Sequence, residues 1–492
     1  MSTPTPAERR TPTVAVIGAG MSGLCMAAKL KRAGIEDFTV YEKAADLGGT
    51  WRDNTYPGLT CDVPSRFYQF RFAPNPDWSR WFSAGPEIWR YFDKVADDLD
   101  LRRHVRLSSE LVDGRWADGR WQLRFADGAE ASADFLISAC GILRIPNVPA
   151  IAGLDSFTGA VFHSARWDHS VPLAGRRVAV IGTGSTGAQI VGGLAGVASE
   201  VRLFQRSAQW ILPMFNPRYS RLTKLLHRRF PQLDVRGYDK IRARAEWIGS
   251  AVTSPGPKRT LLQTICRLHL RRVRDPELRA ALTPDYQPMC KRLVASSAFY
   301  PAIQRADNHL VTDPIDRVEP TGIRTADGTL HEVDVIALAT GFDAHAFMRP
   351  LALTGVDGVT LDEAWAGGPR AFMTVALPGF PNLFTLMGPH SPVGNYSLTE
   401  IAESQADHIL GWIDRWQSRD IDAVAPTEEA TARFNAEMRA AMPGTVWATG
   451  CQSWYLGADG LPELWPWTPD LHRARLRQVE PADYEITAPA AT

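Results

Sequence analysis

A chain of 492 residues with 45% hydrophobic and 22% charged residues has the balance of a folded globular protein. At roughly 150 residues per domain it corresponds to about three domains, and its composition excludes a disordered, collagenous or coiled-coil chain. Lys plus Arg (54) equals Asp plus Glu (54), so no global attraction to nucleic acid or anionic lipid is expected.

Residues 1–12 are polar, rich in Pro and Thr, lack the apolar core of a signal peptide, and read as a disordered start. Val14–Ile17 is a strand-type apolar run that leads into Gly18-Ala19-Gly20-Met21-Ser22-Gly23. Helical spacing follows from Leu24 to Ala33, and Phe38–Tyr41 is a second strand ending at Glu42. Strand, glycine turn, helix and strand make a βαβ unit. Between Val105 and Leu143, Asp118-Gly119 and Asp127-Gly128 divide alternating segments into an antiparallel meander, which leads to an apolar strand closing on Cys140-Gly141.

The same order then returns. Arg177–Ile181 is a strand, Gly182-Thr183-Gly184-Ser185-Thr186-Gly187 a glycine turn, Ala188–Leu194 a helix and Val201–Phe204 the next strand. A turn-bearing segment from Gly322 to Thr329 leads into a strand closing on Thr340-Gly341. Between the units, residues 213–280 read as a helical insert with sixteen Lys or Arg against five acids. A solvated face is the plainer reading of that charge, with a cover over the substrate or a membrane-surface role as alternatives. Ile401–Trp416 reads as an amphipathic helix, and residues 462–469 as a Pro/Trp-rich loop.

No run approaches the 18 apolar residues of a membrane span. Cys25, Cys61, Cys140, Cys266, Cys290 and Cys451 stand singly without a Cys-x-x-Cys pair, which argues against a disulfide framework, a metal site or a dithiol redox centre. The expectation is a cytoplasmic, reduced protein with no integral membrane contact, no nucleic-acid partner and no bound metal.

A Gly-x-Gly-x-x-Gly turn lets the backbone approach a pyrophosphate, while the following helix N-terminus offers donors and a positive dipole end. Gly18, Gly20 and Gly23 form the first such turn, and Glu42, placed to accept ribose hydroxyls, lies 42 − 23 = 19 residues past the last glycine. Gly182, Gly184 and Gly187 form the second. Its second strand ends in Gln205-Arg206-Ser207, and an Arg there suits the 2′-phosphate of NADP. One acid-tipped and one Arg-tipped unit point to FAD first and NADPH second. The expected fold is α/β: two dinucleotide-binding (Rossmann-like) domains with a helical insert. The FAD domain is expected at 13–145 and 327–492, the NADP domain at 146–212 and 289–326, and the insert at 213–288.

Two further segments resemble the fingerprints of Baeyer–Villiger monooxygenases, class B flavoproteins that insert oxygen beside a ketone. Gly48-Gly49-Thr50-Trp51-Arg52-Asp53-Asn54-Thr55-Tyr56-Pro57-Gly58-Leu59-Thr60-Cys61-Asp62 fits the family pattern GGxWxxxxYPGxxxD without a gap. Phe157-Thr158-Gly159-Ala160-Val161-Phe162-His163-Ser164-Ala165-Arg166-Trp167-Asp168 fits FxGxxxHxxxW followed by Asp. The resemblance runs from about Val14 to Trp467.

It implies Asp62 beside the flavin and a partner Arg over the ring, here Arg292 of Cys290-Lys291-Arg292-Leu293, as the catalytic pair. It implies Ser22, Lys43, Gly49, Thr50, Trp51 and Tyr68 around FAD. Ser185, Thr186, Gln189, Ser207 and Lys291 are implied around NADP, Trp454 as a residue that touches bound NADP, and Thr340, Gly341 and Met387 around the paired cofactors. Phe157, Gly159, His163, Trp167 and Asp168 would link the domains, with His163 a structural histidine rather than a base. The chemistry implied is a C4a-peroxide of the flavin, kept deprotonated by a fixed guanidinium that also stabilises the oxyanion of the ketone adduct. Family members commonly carry Asn where Asp459 stands, and Leu461–Trp467 departs from the cyclic-ketone enzymes. A ketone and molecular oxygen are the expected substrates. Sulfur or nitrogen oxygenation, and a flavin NAD(P)H oxidase or reductase, remain the alternatives.

Overall fold

The computed structural model describes residues 9–394, 396–457 and 459–489. Two parallel five-stranded sheets form its frame. The first has the order Leu383–Thr385, Phe135–Ser138, Val14–Ile17, Phe38–Tyr41, Val105–Arg106. Val14–Ile17 and Phe135–Ser138 are buried along their whole length, the pattern of parallel strands covered on both faces. The helix Met21–Arg32 starts three residues before the predicted one, because the turn itself supplies its first residues. The meander Leu111–Ala117, Arg120–Phe125, Glu130–Ala133 is antiparallel as expected, and Ala352–Thr354 adds a parallel strand to its edge.

The second sheet has the order Asn308–Val311, Glu200–Phe204, Arg177–Ile181, Val335–Leu338, Ala160–His163. This moves one expected boundary. Val335–Leu338 pairs with both Arg177–Ile181 and Ala160–His163, so the second unit continues to about Leu338 instead of ending at residue 326. The strand is equally apolar in either position, and only its pairing partners reveal the sheet to which it belongs.

The insert is helical at Arg221–Arg229, Gln232–Thr253, Pro257–Leu270 and Pro276–Ala281. Part of its charge is internal: Asp234 is buried and binds both Arg66 and His227. The amphipathic reading near the C-terminus is the helix Leu398–Gln417, and Pro469 opens the helix Pro469–Arg477. Among the described residues no helix is long and apolar enough to cross a membrane.

Two expectations are corrected. Residues 1–8 of the expected disordered start lie outside the described residues, but Arg10 is tied down. Its guanidinium lies 4.0 Å from the Trp416 ring centroid, donates to the Trp416 carbonyl at 2.7 Å and pairs with Asp422. Cys290 and Cys451 are joined by a disulfide across 161 residues of sequence. Local spacing carries no sign of such a pair, because the fold alone brings the two ends together. Cys25, Cys61, Cys140 and Cys266 are free, as the scattered spacing suggested.

The two units meet through the first fingerprint. Gly58 has φ +81°, and a Cβ there would stand 2.2 Å from the Gln189 carbonyl oxygen on the second unit's glycine-turn helix. A Cβ on Gly193 would stand 2.6 Å from the Pro57 carbonyl carbon. Glycine at both positions permits this approach. Tyr56 Oη donates to Gln189 Oε1 at 3.0 Å, and Gln189 Nε2 donates to the Thr60 carbonyl at 2.8 Å.

Candidate active site

The helices after the two glycine turns start without a side-chain cap. Their first N–H groups therefore point at the turn with no side chain satisfying them, which leaves them for an anion. Crowding explains the glycines: a Cβ on Gly23 would lie 1.8 Å from the Gly18 carbonyl oxygen, and one on Gly187 2.0 Å from that of Gly182. Gly184 faces open space. Gly49 comes to the first turn from the fingerprint side, with a Cβ there only 3.0 Å from the Gly20 Cα. Thr50 and Trp51 follow it in the short helix Thr50–Asp53, and Trp51 Nε1 donates to the buried Tyr68 hydroxyl at 3.1 Å.

Glu42 sits buried at the tip of its strand. Its Oε2 accepts from the Ala19 N–H at 2.9 Å and its Oε1 from the Ala44 N–H at 3.0 Å, which fixes the carboxylate beside the turn. Lys43 is more peripheral, half-exposed and 4.0 Å from Glu110. On the second unit, Arg206 is exposed at its strand end, and Lys291 Nζ donates to Ser207 Oγ at 3.0 Å. Burial, with the neighbouring Arg206 charge adding to it, lowers the Lys291 pKa. Two cations and a hydroxyl thus converge on one edge, a donor set suited to a phosphate monoester.

Between the units, Arg292 forks onto Asp62. Its Nη2 donates to Oδ1 at 2.9 Å and Oδ2 at 2.8 Å, its Nε to Oδ2 at 3.2 Å, and its Nη1 to the Val393 carbonyl at 3.0 Å. The pair is partly open, at 32% and 23% side-chain exposure. The Asp62 charge is the largest influence on Arg292 and raises its pKa, so the guanidinium holds its proton at any working pH. The Tyr455 hydroxyl, fully buried, faces the same guanidinium, and burial raises the pKa of that phenol.

The second fingerprint is structural. His163 is buried, its Nδ1 accepts the Ala165 N–H at 3.1 Å, and burial lowers its pKa. Trp167 packs against Phe162 at 4.7 Å, Asp168 accepts the Ser170 N–H at 2.8 Å, and a Cβ on Gly159 would stand 2.3 Å from the Asp334 carbonyl oxygen. Phe157 is buried beside them.

Other expected cofactor residues also make contacts within the protein. The Gln189 amide is taken up by Tyr56 and Thr60, and Thr340 Oγ1 donates to the Asn147 carbonyl at 2.6 Å. Gly341 follows with φ +83°. Met387, at φ +56°, is held by its N–H donating to Gln405 Oε1 at 2.9 Å. Met387, Ile142, His345, His390, Trp454 and Tyr455 line one small cleft, and Trp454 is 41% exposed there. Sequence reasoning missed Tyr455, His345 and Glu463. Tyr455 adjoins a residue that it did name, whereas His345 and Glu463 belong to no pattern.

The sequence profile of flavin-binding monooxygenase-like proteins matches residues 11–237. A protein of Mycobacterium tuberculosis described as an uncharacterized monooxygenase is 59% identical over 98% of this chain and 97% of its own. A Baeyer–Villiger monooxygenase of Streptomyces coelicolor is 40% identical over 97% of this chain and 93% of its own. A crystal structure described as OTEMO in complex with FAD and NADP superposes with a TM-score of 0.86 at 29% identity, covering 97% of this chain and all of that one. With its two dinucleotide-binding units and the Asp62–Arg292 pair between them, the chain belongs to the Baeyer–Villiger monooxygenases.

Proposed function

We propose that the protein converts a ketone to an ester or lactone, using FAD, NADPH and molecular oxygen. The observation that carries this reading is the Arg292 fork on Asp62, a permanent positive charge fixed between the two nucleotide units. FAD, reduced by NADPH, supplies the activated oxygen when bound.

The chain's own residues do the rest. The uncapped helix starts at Met21 and Ser185 present N–H donors to the two pyrophosphates. Glu42 accepts from ribose, while Arg206, Lys291 and Ser207 hold the 2′-phosphate and select NADPH over NADH. Arg292 stabilises negative charge on the attacking oxygen and on the oxyanion that develops at the ketone carbonyl. Asp62 and the Val393 carbonyl aim its plane, so little reorganisation is needed as that charge appears. Trp454 and Tyr455 close the open side and exclude water.

A panel of linear, cyclic and aryl ketones, with sulfides and amines beside them, tests this reading, scored by product mass with NADPH consumption alongside. A gain of one oxygen atom per NADPH consumed is the expected result. Consumption of NADPH to hydrogen peroxide with every ketone, or oxidation of sulfides and amines alone, would overturn it.

A further inference from the structure

The loop from residue 450 to 463 carries Trp454 and Tyr455, and its far end folds back on its beginning. The Glu463 N–H donates to the Tyr455 carbonyl at 2.7 Å and the Gly457 N–H to the Leu461 carbonyl at 2.8 Å. This hairpin delivers the Glu463 carboxylate against Gly457, where a Cβ would stand 2.4 Å from Oε1. The loop's start is stapled to the Arg292 segment by the Cys290–Cys451 disulfide. A side chain from the segment just beyond the second unit also holds the loop. His345, seven residues past the strand Val335–Leu338 (345 − 338), reaches Glu463 Oε2 with Nδ1 at 2.7 Å and the Trp454 carbonyl with Nε2 at 3.0 Å.

Both partners are acceptors only. A neutral imidazole carries one N–H and would leave a lone pair facing one of those oxygens, whereas an imidazolium satisfies both. We propose that His345 is a positioning residue whose imidazolium clasps the 450–463 loop by bridging Glu463 and the Trp454 carbonyl. Loss of its proton frees the loop.

The surroundings agree. The Glu463 hydrogen bond is the largest influence on His345 and raises its pKa above the ordinary value near 6.5, against partial burial, with Asp343 on its own segment adding to the rise. Among the neighbouring groups, desolvation lowers His390 to about 4, and Arg439 pairs with Asp459 at 3.2 Å. The clasp is therefore closed below the His345 pKa and opens as pH rises through it. Its effect on nucleotide binding rests on the reading that Trp454 touches NADP.

Two measurements on the FAD-loaded protein, kept free of reductant, test the proposal. The first is hydrogen exchange of the peptide spanning 452–463 between pH 6 and pH 9, referenced at each pH to the same peptide in denatured protein. Protection in the wild type should fall at least tenfold across that range. In His345→Gln it should be low and independent of pH, and in Glu463→Gln the transition should move to lower pH. The second is the NADP⁺ Kd, read from the flavin spectrum over the same range. It should weaken several-fold with rising pH in the wild type and be flat in His345→Gln above pH 7. Ionisation of the 2′-phosphate, near pH 6, acts in the opposite direction and so is separable.

Wild-type protection that does not change with pH, or a transition that persists in His345→Gln, overturns the clasp. Exchange that follows His345 while Kd does not upholds the clasp and overturns Trp454 as a nucleotide contact. A purely structural histidine would lower protection in His345→Gln by the same factor relative to wild type at every pH and leave the transition in place, which also overturns the proposal.

Discussion

Replacing Arg292 by alanine removes the fixed positive charge between the two nucleotide units and leaves the Asp62 carboxylate without its three hydrogen bonds at 2.8–3.2 Å. Two effects add. Loss of a preorganised donor to developing negative charge costs on the order of 3–4 kcal/mol, or about 10²–10³ in rate. The bared Asp62, only 23% exposed, then repels the same developing charge, so the loss should reach the upper end of that range. Hydride transfer needs only alignment of NADPH with the flavin, so flavin reduction should survive within about tenfold. Arg292→Lys should recover little, because an ammonium cannot form the planar fork that binds Asp62 and the Val393 carbonyl together. Asp62→Ala alone should be milder, slowing the reaction by letting Arg292 drift. The double variant should be no worse than Arg292→Ala, because the repelling carboxylate is gone, and this non-additivity marks a coupled pair. Stopped-flow flavin bleaching and ester formation on the same preparations separate the two half-reactions. Ester formed by Arg292→Ala at the wild-type rate would refute the reasoning, and so would equal losses in both half-reactions.

Arg206→Ala or Lys291→Ala should each reduce the NADPH/NADH preference by about tenfold, read as a ratio of kcat/KM values, while leaving NADH turnover unchanged. The Cys290–Cys451 bond closes 161 residues, for which chain entropy predicts a contribution of up to about 5 kcal/mol, so reductant or Cys451→Ser should lower Tm measurably. Burial raises the Glu403 pKa to about 7 against an ordinary value near 4.5. Between those values the folded state holds more protons than the unfolded one, so stability should fall as pH rises from about 4.5 to 7, by up to about 3 kcal/mol. Glu403→Gln should remove most of that fall, seen in urea unfolding at pH 5 and pH 8.

Much of the fold was legible along the chain because its signals are local. A glycine turn between an apolar strand and a helix needs only consecutive residues, and both nucleotide units follow from Val14–Glu42 and Arg177–Ser207 alone. The close approaches that require Gly23 and Gly187 to lack side chains lie in those same motifs, and the one at Gly58 in the first fingerprint. The pairing of Asp62 with Arg292 was legible in another way, through fingerprints of a known family, since nothing in the spacing of two residues 230 apart links them. Tertiary structure alone decided the rest, where the informative contact is long-range. The apolar strand Val335–Leu338 fits either sheet until its partners are seen. Cys290 and Cys451 look like two isolated thiols until the loop returns to the Arg292 segment. His345 is an unremarked histidine until Glu463 and the Trp454 carbonyl close on its two nitrogens. Local sequence dictates which element forms and where it turns, whereas the pairing of distant side chains depends on packing that no window of neighbouring residues contains.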